Sequence, residues 1–389
     1  MKIEVAKVDL ESALVVAGIA VGSGSDLSGH YLFRVVPGED SKVEILSYNQ
    51  RIFARAPLTC NCELTEEDKT KAFTVEAWRL DKWLSGVSTG ILSLTSDNKG
   101  DVVAKAPKSK IHMRSLDPNK FPYWDSLKSN SQDAGEVSTV TLVRALSLSK
   151  GFISSDDTNK PEICQVESVN GVLQATDRKA LALVEVPFLA NTNLRIAGKD
   201  VGSVTRFLGL KTETNTITVS TAERPAGQGS GACAFFTRAD GSYLGVSKPT
   251  LAFPSLKVDQ NSPPDAEFEM DMGDFKSAVA ILSASAPKNH ETVRFRHLDG
   301  KIVVSMPSEA GGEDEYPLVP KGDIQNGDLI SEGFSIDYPY LEDISEAFGL
   351  DSLKIGITKR GKGGFISVKH VDEDTLGGNK YYTVVVWKT

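Results

Sequence analysis

VDLESALVVAGIAV, residues 8–21, decides the reading of this chain, because the same amphipathic phrase returns twice. Residues 140–153 read VTLVRALSLSKGFI and residues 272–285 read MGDFKSAVAILSAS. With Leu10, Leu142 and Phe275 as equivalent anchors, the copies stand 132 and 133 residues apart. Apolar residues recur at helical spacing in each, which predicts three helices. A second helical phrase follows inside every copy: VEAWRLDKWLSG (75–86), AGKDVGSVTRFLG (197–209) and IDYPYLEDISEAFG (336–349). Each second helix precedes an alternating strand, at 91–95, 216–220 and 353–358. A solenoid repeats every ~20–50 residues, so a domain-sized period means tandem copies of one fold. Such a chain builds a surface or a ring more readily than a single cleft.

Between the helices the chain alternates as β-structure. Strands 163–167 and 172–176 flank Asn170-Gly171, and strands 293–298 and 301–306 flank Asp299-Gly300. Both dipeptides suit the positive φ angles of a two-residue hairpin. The first copy has a longer turn, Pro37-Gly38-Glu39-Asp40, between 31–36 and 42–47. Per copy the order is strand, helix and three strands, written twice, which makes the fold class α+β. Polar stretches at 126–136 and 259–265 read as linkers, and 225–232 as a loop. The expected domains are therefore 1–128, 129–260 and 261–389.

Composition narrows the function. A chain of 389 residues with 40% apolar and 24% charged residues is an ordinary globular protein of several domains. No apolar run approaches the roughly 20 residues of a membrane span, and the N-terminus lacks a signal peptide's order. Four cysteines, Cys60, Cys62, Cys164 and Cys233, lack a disulfide-framework spacing, so a reducing cytoplasm is expected and a membrane partner is not. A net charge of −9 opposes nucleic-acid binding over the whole surface and leaves room for a local basic zone.

Motifs for catalysis, metal or cofactor binding are incomplete. His290-Glu291 opens like HExxH, but Arg294 stands where the second histidine belongs. Gly22-Ser23-Gly24-Ser25-Asp26 and 227–231 complete neither a phosphate loop nor a nucleophile elbow, and read as surface loops. Cys60 and Cys62 share one face of a strand as structural thiols, and 370–374 (HVDED) reads as a solvated turn. The chain is read as no enzyme, with no cofactor and no metal.

Charge placement says more. Lys7, Arg79, Lys82, Arg144, Lys150, Lys199, Arg206 and Lys211 lie on or beside the helices of the first two copies. One cation on a helix is ordinary solvation, but repetition could gather several onto one face. The third copy dissents with Glu342, Asp343 and Glu346, and only Lys276 and Lys288 help there.

Several segments then become familiar. Residues 175–183 (ATDRKALAL) resemble an ATDGHRLA segment, Ala280-Ile281-Leu282-Ser283 resembles AAILS, and 333–338 (GFSIDY) resembles GFN-x-x-Y. Residues 116–122 (LDPNKFP) and Phe253-Pro254 match FP turns, and 382–389 (YTVVVWKT) falls where YVVMPMRL ends the family. In order and spacing, the chain resembles the bacterial β sliding clamp, the DNA polymerase III processivity factor, over essentially its whole length. Arg178, Lys179 and Ala180 replace the family's Gly-His-Arg, which suits a distant member, a phage-encoded one being one reading.

The resemblance implies three clamp domains, each of two β-α-β-β-β halves, and a six-domain ring made by a homodimer around duplex DNA. It implies that Lys7, Arg79, Lys82, Arg144, Lys150, Lys199 and Arg206 face the hole. A polymerase and a clamp loader would insert a peptide at Thr176, Leu181, Pro254, Ser335, Tyr338, Val384, Val385, Val386 and Trp387. Subunits would join through Lys108, Lys110, Ile111 and Met113 against Ile281 and Leu282 with the loop Glu313, Asp314 and Glu315. A tandem-repeat scaffold that never meets DNA stays open beside this reading, as does an enzyme whose carboxylates converge in a cleft.

Overall fold

The structure is a computed structural model. It describes every residue except 37–38, 65–70, 97–100, 212–213, 224–231, 255–262, 286–291, 309–310, 332, 348–351, 361–362, 371–380 and 389. At 40–41, 134, 285, 346–347, 363, 370 and 381–388 the backbone alone is described. The hairpin residues Pro37 and Gly38, the 227–231 loop, Lys288, His290-Glu291, 371–374 and most of the 259–265 linker lie outside the described residues.

Eight α-helices are described: α1 (Lys7–Ala17), α2 (Ala77–Gly86), α3 (Asp125–Ser129), α4 (Thr139–Lys150), α5 (Gly198–Leu208), α6 (Met272–Ser285), α7 (Asp328–Ser331) and α8 (Tyr338–Ala347). The three anchors each begin the same buried quartet. Leu10, Ala13, Leu14 and Ala17 are buried in α1, Leu142, Ala145, Leu146 and Ser149 in α4, and Phe275, Ala278, Val279 and Leu282 in α6. Spacing of three and four residues puts each quartet on one helix face, and burial of that face holds the helix.

The second helices start later than their phrases suggest. Ala72–Glu76 is a strand before α2, and Phe334–Asp337 is a strand before α8. β-Branched Thr74 and Val75, and Ile336, favour the extended backbone there. Pro339 then sits near the start of α8, where its missing N–H costs nothing.

By packing, the chain forms two compact units, Met1–Thr139 with Lys199–Thr250, and Val140–Gly198 with Leu251–Thr389. The second sequence repeat is shared between them.

The first unit contains two antiparallel sheets. One orders Asn61–Glu63, Lys2–Ala6, Ile91–Ser96, Asp101–Ala106 and Ser109–Arg114. The other has eight strands, Gln132–Ser138, Thr216–Glu223, Ala232–Thr237, Tyr243–Ser247, Ile52–Leu58, Glu39–Tyr48, His30–Val36 and Ala72–Glu76. Its centre joins two repeats, with Leu244 opposite Ala54. Beneath that join lies an aromatic core. Phe53 stacks between Trp124 at 5.6 Å and Tyr243 at 5.9 Å, and Trp124 meets Phe235 edge-on at 6.3 Å. Gly245 is required there, because an added Cβ would lie 2.8 Å from Phe235 and 2.9 Å from Trp124.

Residues 126–136, expected as a linker, are instead α3 and the strand Gln132–Ser138. Leu127 and Val137 are buried, so the polar residues are the outer face of ordered elements. Arg34 fastens α3 to the sheet, pairing with Asp125 at 2.8 Å and with buried Glu44 at 2.5 Å.

The second unit is built on one twelve-stranded sheet. Its main path runs Arg195–Ala197, Gln165–Val169, Val172–Thr176, Ala180–Glu185, Tyr381–Lys388, Phe334–Asp337, Thr292–Leu298, Lys301–Pro307 and Glu313–Leu318. Gly363–His370 also pairs with Tyr381–Lys388, then with Ser352–Arg360, which pairs with Ala266–Asp271. Both two-residue hairpins have the expected backbone, with φ of 51° and 80° at Asn170-Gly171 and 51° and 73° at Asp299-Gly300.

Candidate functional site

The proposed groove residues belong to the second unit, and the sheet register brings several together. Leu181 lies opposite Val384 and Ala180 opposite Val385. That ladder then stops, while Val386 and Trp387 continue opposite Phe365 and Gly364. Ser335 pairs with Lys388. The C-terminal strand therefore connects the segment carrying Thr176 and Leu181 with the segment carrying Ser335 and Tyr338.

A set of hydrogen bonds shapes the turn between Thr176 and Leu181. Asp177 Oδ1 accepts the backbone N–H groups of Lys179 and Ala180, both at 2.8 Å, and Thr176 Oγ1 donates to the Ala180 carbonyl at 2.6 Å. Arg178 takes a positive φ of 81° here, where the related motif has glycine. Its guanidinium pairs with Glu162 at 2.9 Å, and Lys179 pairs with Asp337 at 3.4 Å. Tyr340, stacked on Phe152 at 6.2 Å, donates to Asp177 Oδ2 at 2.5 Å. Pro254 is held from the other side: Glu167 accepts the Phe253 N–H at 3.1 Å while pairing with Arg195 at 2.5 Å.

Access differs from what the sequence suggests. Thr176, Leu181 and Tyr338 are buried, Ser335 is half-buried and Pro254 is exposed. Tyr338 donates to Glu342 at 2.8 Å, and burial is the main cause that pushes its hydroxyl pKa up to about 12. A peptide entering here must displace Tyr338 or lie on the exposed rim of Arg178, Lys179 and Pro254.

The helix cations divide by exposure. Lys82, Arg144, Lys150, Lys199 and Arg206 are exposed, whereas Lys7 is half-buried and pairs with Glu11 at 3.0 Å. Arg79 pairs with Glu76 at 3.3 Å. Next to Lys199, buried Asp200 takes a hydrogen bond from Arg51 at 3.0 Å; burial holds its carboxyl above the usual range and Arg51 opposes this. Neither Arg51 nor Asp200 was distinguishable by spacing, because the partners lie 149 residues apart.

Of the proposed interface residues, Lys108, Lys110 and Ile281 are exposed and Ile111 is half-buried. Ser109–Arg114 and Glu313–Leu318 are edge strands of their sheets among the described residues. Two expectations need correction. Met113 and Leu282 are buried in their own units and support the surface from beneath. Glu313, Asp314 and Glu315 lie in a strand and not a loop, and Arg296 already pairs with Glu315 at 2.7 Å and Glu313 at 3.5 Å. The thiols of Cys60 and Cys62 are half-buried; burial, with Cys62 alongside, pushes the Cys60 thiol up to about 12. Among the described residues no three His, Cys, Asp or Glu side chains gather as metal ligands, and no helix is long and apolar enough to cross a membrane.

No protein-family model and no curated protein sequence matches the chain. Solved structures do match it from end to end. The DNA polymerase sliding clamp from Bacillus subtilis aligns with a TM-score of 0.80 at 13% identity, covering 100% of this chain and 99% of that one. The DNA polymerase III beta subunit from Thermotoga maritima gives 0.74 at 16% over 100% and 99%. The beta subunit of the Streptococcus pyogenes DNA polymerase gives 0.76 at 14% over the whole of both chains. Along its full length, this chain has the fold of the bacterial DNA polymerase III beta sliding clamps.

Proposed function

We propose that the chain is a DNA sliding clamp: a non-enzymatic processivity factor that encircles duplex DNA and tethers a replicative polymerase. The observation that carries this reading is end-to-end likeness to three such clamps at TM-scores of 0.74 to 0.80. In this reading the domains are 1–128, 129–260 and 261–389, and two subunits close a ring of six. Local order agrees with it.

A sliding ring is held by topology and must not grip. Its lining needs diffuse positive charge from Lys82, Arg144, Lys150, Lys199 and Arg206, and its acidic exterior repels DNA. Lys7 and Arg79 contribute less net attraction, because Glu11 and Glu76 neutralise them. Two edge strands of opposite charge, at Lys108 and Lys110 and at Glu313 to Glu315, suit a head-to-tail contact repeated twice. Polymerase and loader peptides would dock beside Tyr338 and Trp387. A cytoplasmic setting follows from this task.

The test is retention on nicked circular DNA after loading. The protein should stay on the circle and leave once the circle is linearised. Equal departure from circular and linear DNA sinks the ring.

A further inference from the structure

Between α1 and α2, in the first unit, lies an open recess of about 660 Å³ whose lining includes Arg206 of α5. Leu14, Val15 and Leu84 form apolar wall, and Trp78 stands at its rim with 64% of its surface exposed. Helix geometry explains the placement. Leu80 is buried in the core on the far face of α2, while Ala77 and Leu84 lie at the base of the recess and Trp78 is left outward with Asp81 and Lys82. The lining carries both signs of charge, Arg206 beside Glu11 and Asp81. Tyr31 donates to Asp81 at 3.1 Å and fixes its carboxylate, whose remaining lone pairs still accept.

We infer that this recess is a binding site for an unpaired nucleotide of a DNA strand. The inference rests on the reading that these helices meet DNA, but it assigns them a different ligand from duplex phosphates. A surface serving phosphates alone needs cations, and Trp78, Val15, Glu11 and Asp81 all work against that. A nucleotide matches the lining group by group. Its base offers a π-face to Trp78 and apolar area to Val15 and Leu14. Amino groups on the base edge donate to Asp81 or Glu11, and the phosphate meets Arg206. Paired bases cannot offer a face, so the site selects single-stranded DNA, as in the unpaired template strand beyond the end of a primer. Bases with exocyclic amines are preferred over thymine, because two carboxylates accept what thymine supplies only once.

The test uses the full chain and fluorescent oligonucleotides at low salt, read by anisotropy. Oligodeoxycytidylate should bind more tightly than oligodeoxythymidylate or a short duplex. Trp78→Ala should weaken single-strand binding roughly fivefold or more, the loss of one stacked base, while Trp78→Phe keeps most of it. Truncation at so exposed a site removes little packing, and unchanged thermal unfolding verifies that. Asp81→Asn, which still accepts from Tyr31, should erase the preference for cytosine. Unchanged binding by Trp78→Ala overturns the proposal, as does an equal loss on duplex. Indole quenching by an apolar peptide with no response to any oligonucleotide assigns the recess to a protein partner and overturns it too. Retention on circles tests the ring separately, so the two readings fail independently.

Discussion

Tyr340 donates its hydroxyl to Asp177 Oδ2 at 2.5 Å, tying α8 to the turn after Val172–Thr176 across 163 residues of sequence. The same turn carries Arg178 in a left-handed conformation and Lys179 against Asp337. Three side chains thus set the rim of the proposed groove from two distant parts of the chain. Tyr340→Phe keeps the stacking on Phe152 and leaves one carboxylate oxygen without its donor. It should cost about 1–3 kcal/mol in denaturant unfolding, as for a hydrogen bond to a charged group. Tyr340→Ala should cost more, about 3–5 kcal/mol, since the ring itself leaves a buried site. Equal costs would mean that the ring contributes nothing beyond its hydroxyl, and a Tyr340→Phe variant as stable as wild type would mean that the hydroxyl contributes nothing.

Deleting Trp387–Thr389 should abolish polymerase stimulation and leave the solution mass of the assembly unchanged. Tyr338→Ala should do the same with an added loss of stability, because Tyr338 is only 9% exposed and fills space beside α6. Processive synthesis at the wild-type level by both variants would place the docking groove elsewhere.

Charge reversal at Lys108 and Lys110 together should halve the mass seen by sedimentation at micromolar protein. Arg296 already shares Glu313 and Glu315, so Arg296→Ala should strengthen association by freeing both carboxylates. Sedimentation of wild type as monomer alone, or an unchanged mass after reversal, contradicts the head-to-tail contact.

Arg51 and Asp200 make a pH-dependent pair. Asp200 is raised above its usual value, first by burial, with Arg51 acting against it. A carboxyl raised on folding stabilises most below the unfolded value, and that advantage is lost as pH rises through the folded value. The stability of wild type relative to Asp200→Asn should therefore be highest in acid and decline toward neutrality. Arg51→Ala at neutral pH leaves the buried carboxylate without its partner and should cost about 1–3 kcal/mol, moderated because Arg51 is itself half-exposed. Parallel pH profiles for wild type and Asp200→Asn would show that the raised carboxyl has no influence on folding.

What residue order alone determined is whatever depends on neighbours within a few positions. The quartets beginning at Leu10, Leu142 and Phe275 are a helical period, and that period is a property of backbone geometry. The turns at Asn170-Gly171 and Asp299-Gly300 follow from residues that tolerate positive φ. The ordered motifs around Asp177, Ile281 and Tyr338 carried the fold likeness, although overall identity to the matched clamps is only 13% to 16%. Tertiary structure decided the rest. Nothing local pairs Tyr243–Ser247 with Ile52–Leu58, or the C-terminal strand with Ala180–Glu185. A strand's partner is selected by burial shared across long separations, and alternation records only which face is apolar. The polar run at 126–136 became a helix and a strand because Leu127 and Val137 had a core to enter. Met113 and Leu282 went inward and Trp78 outward for the same reason. Apolar character says that a side chain gains by leaving water, and only the packed chain decides which ones can.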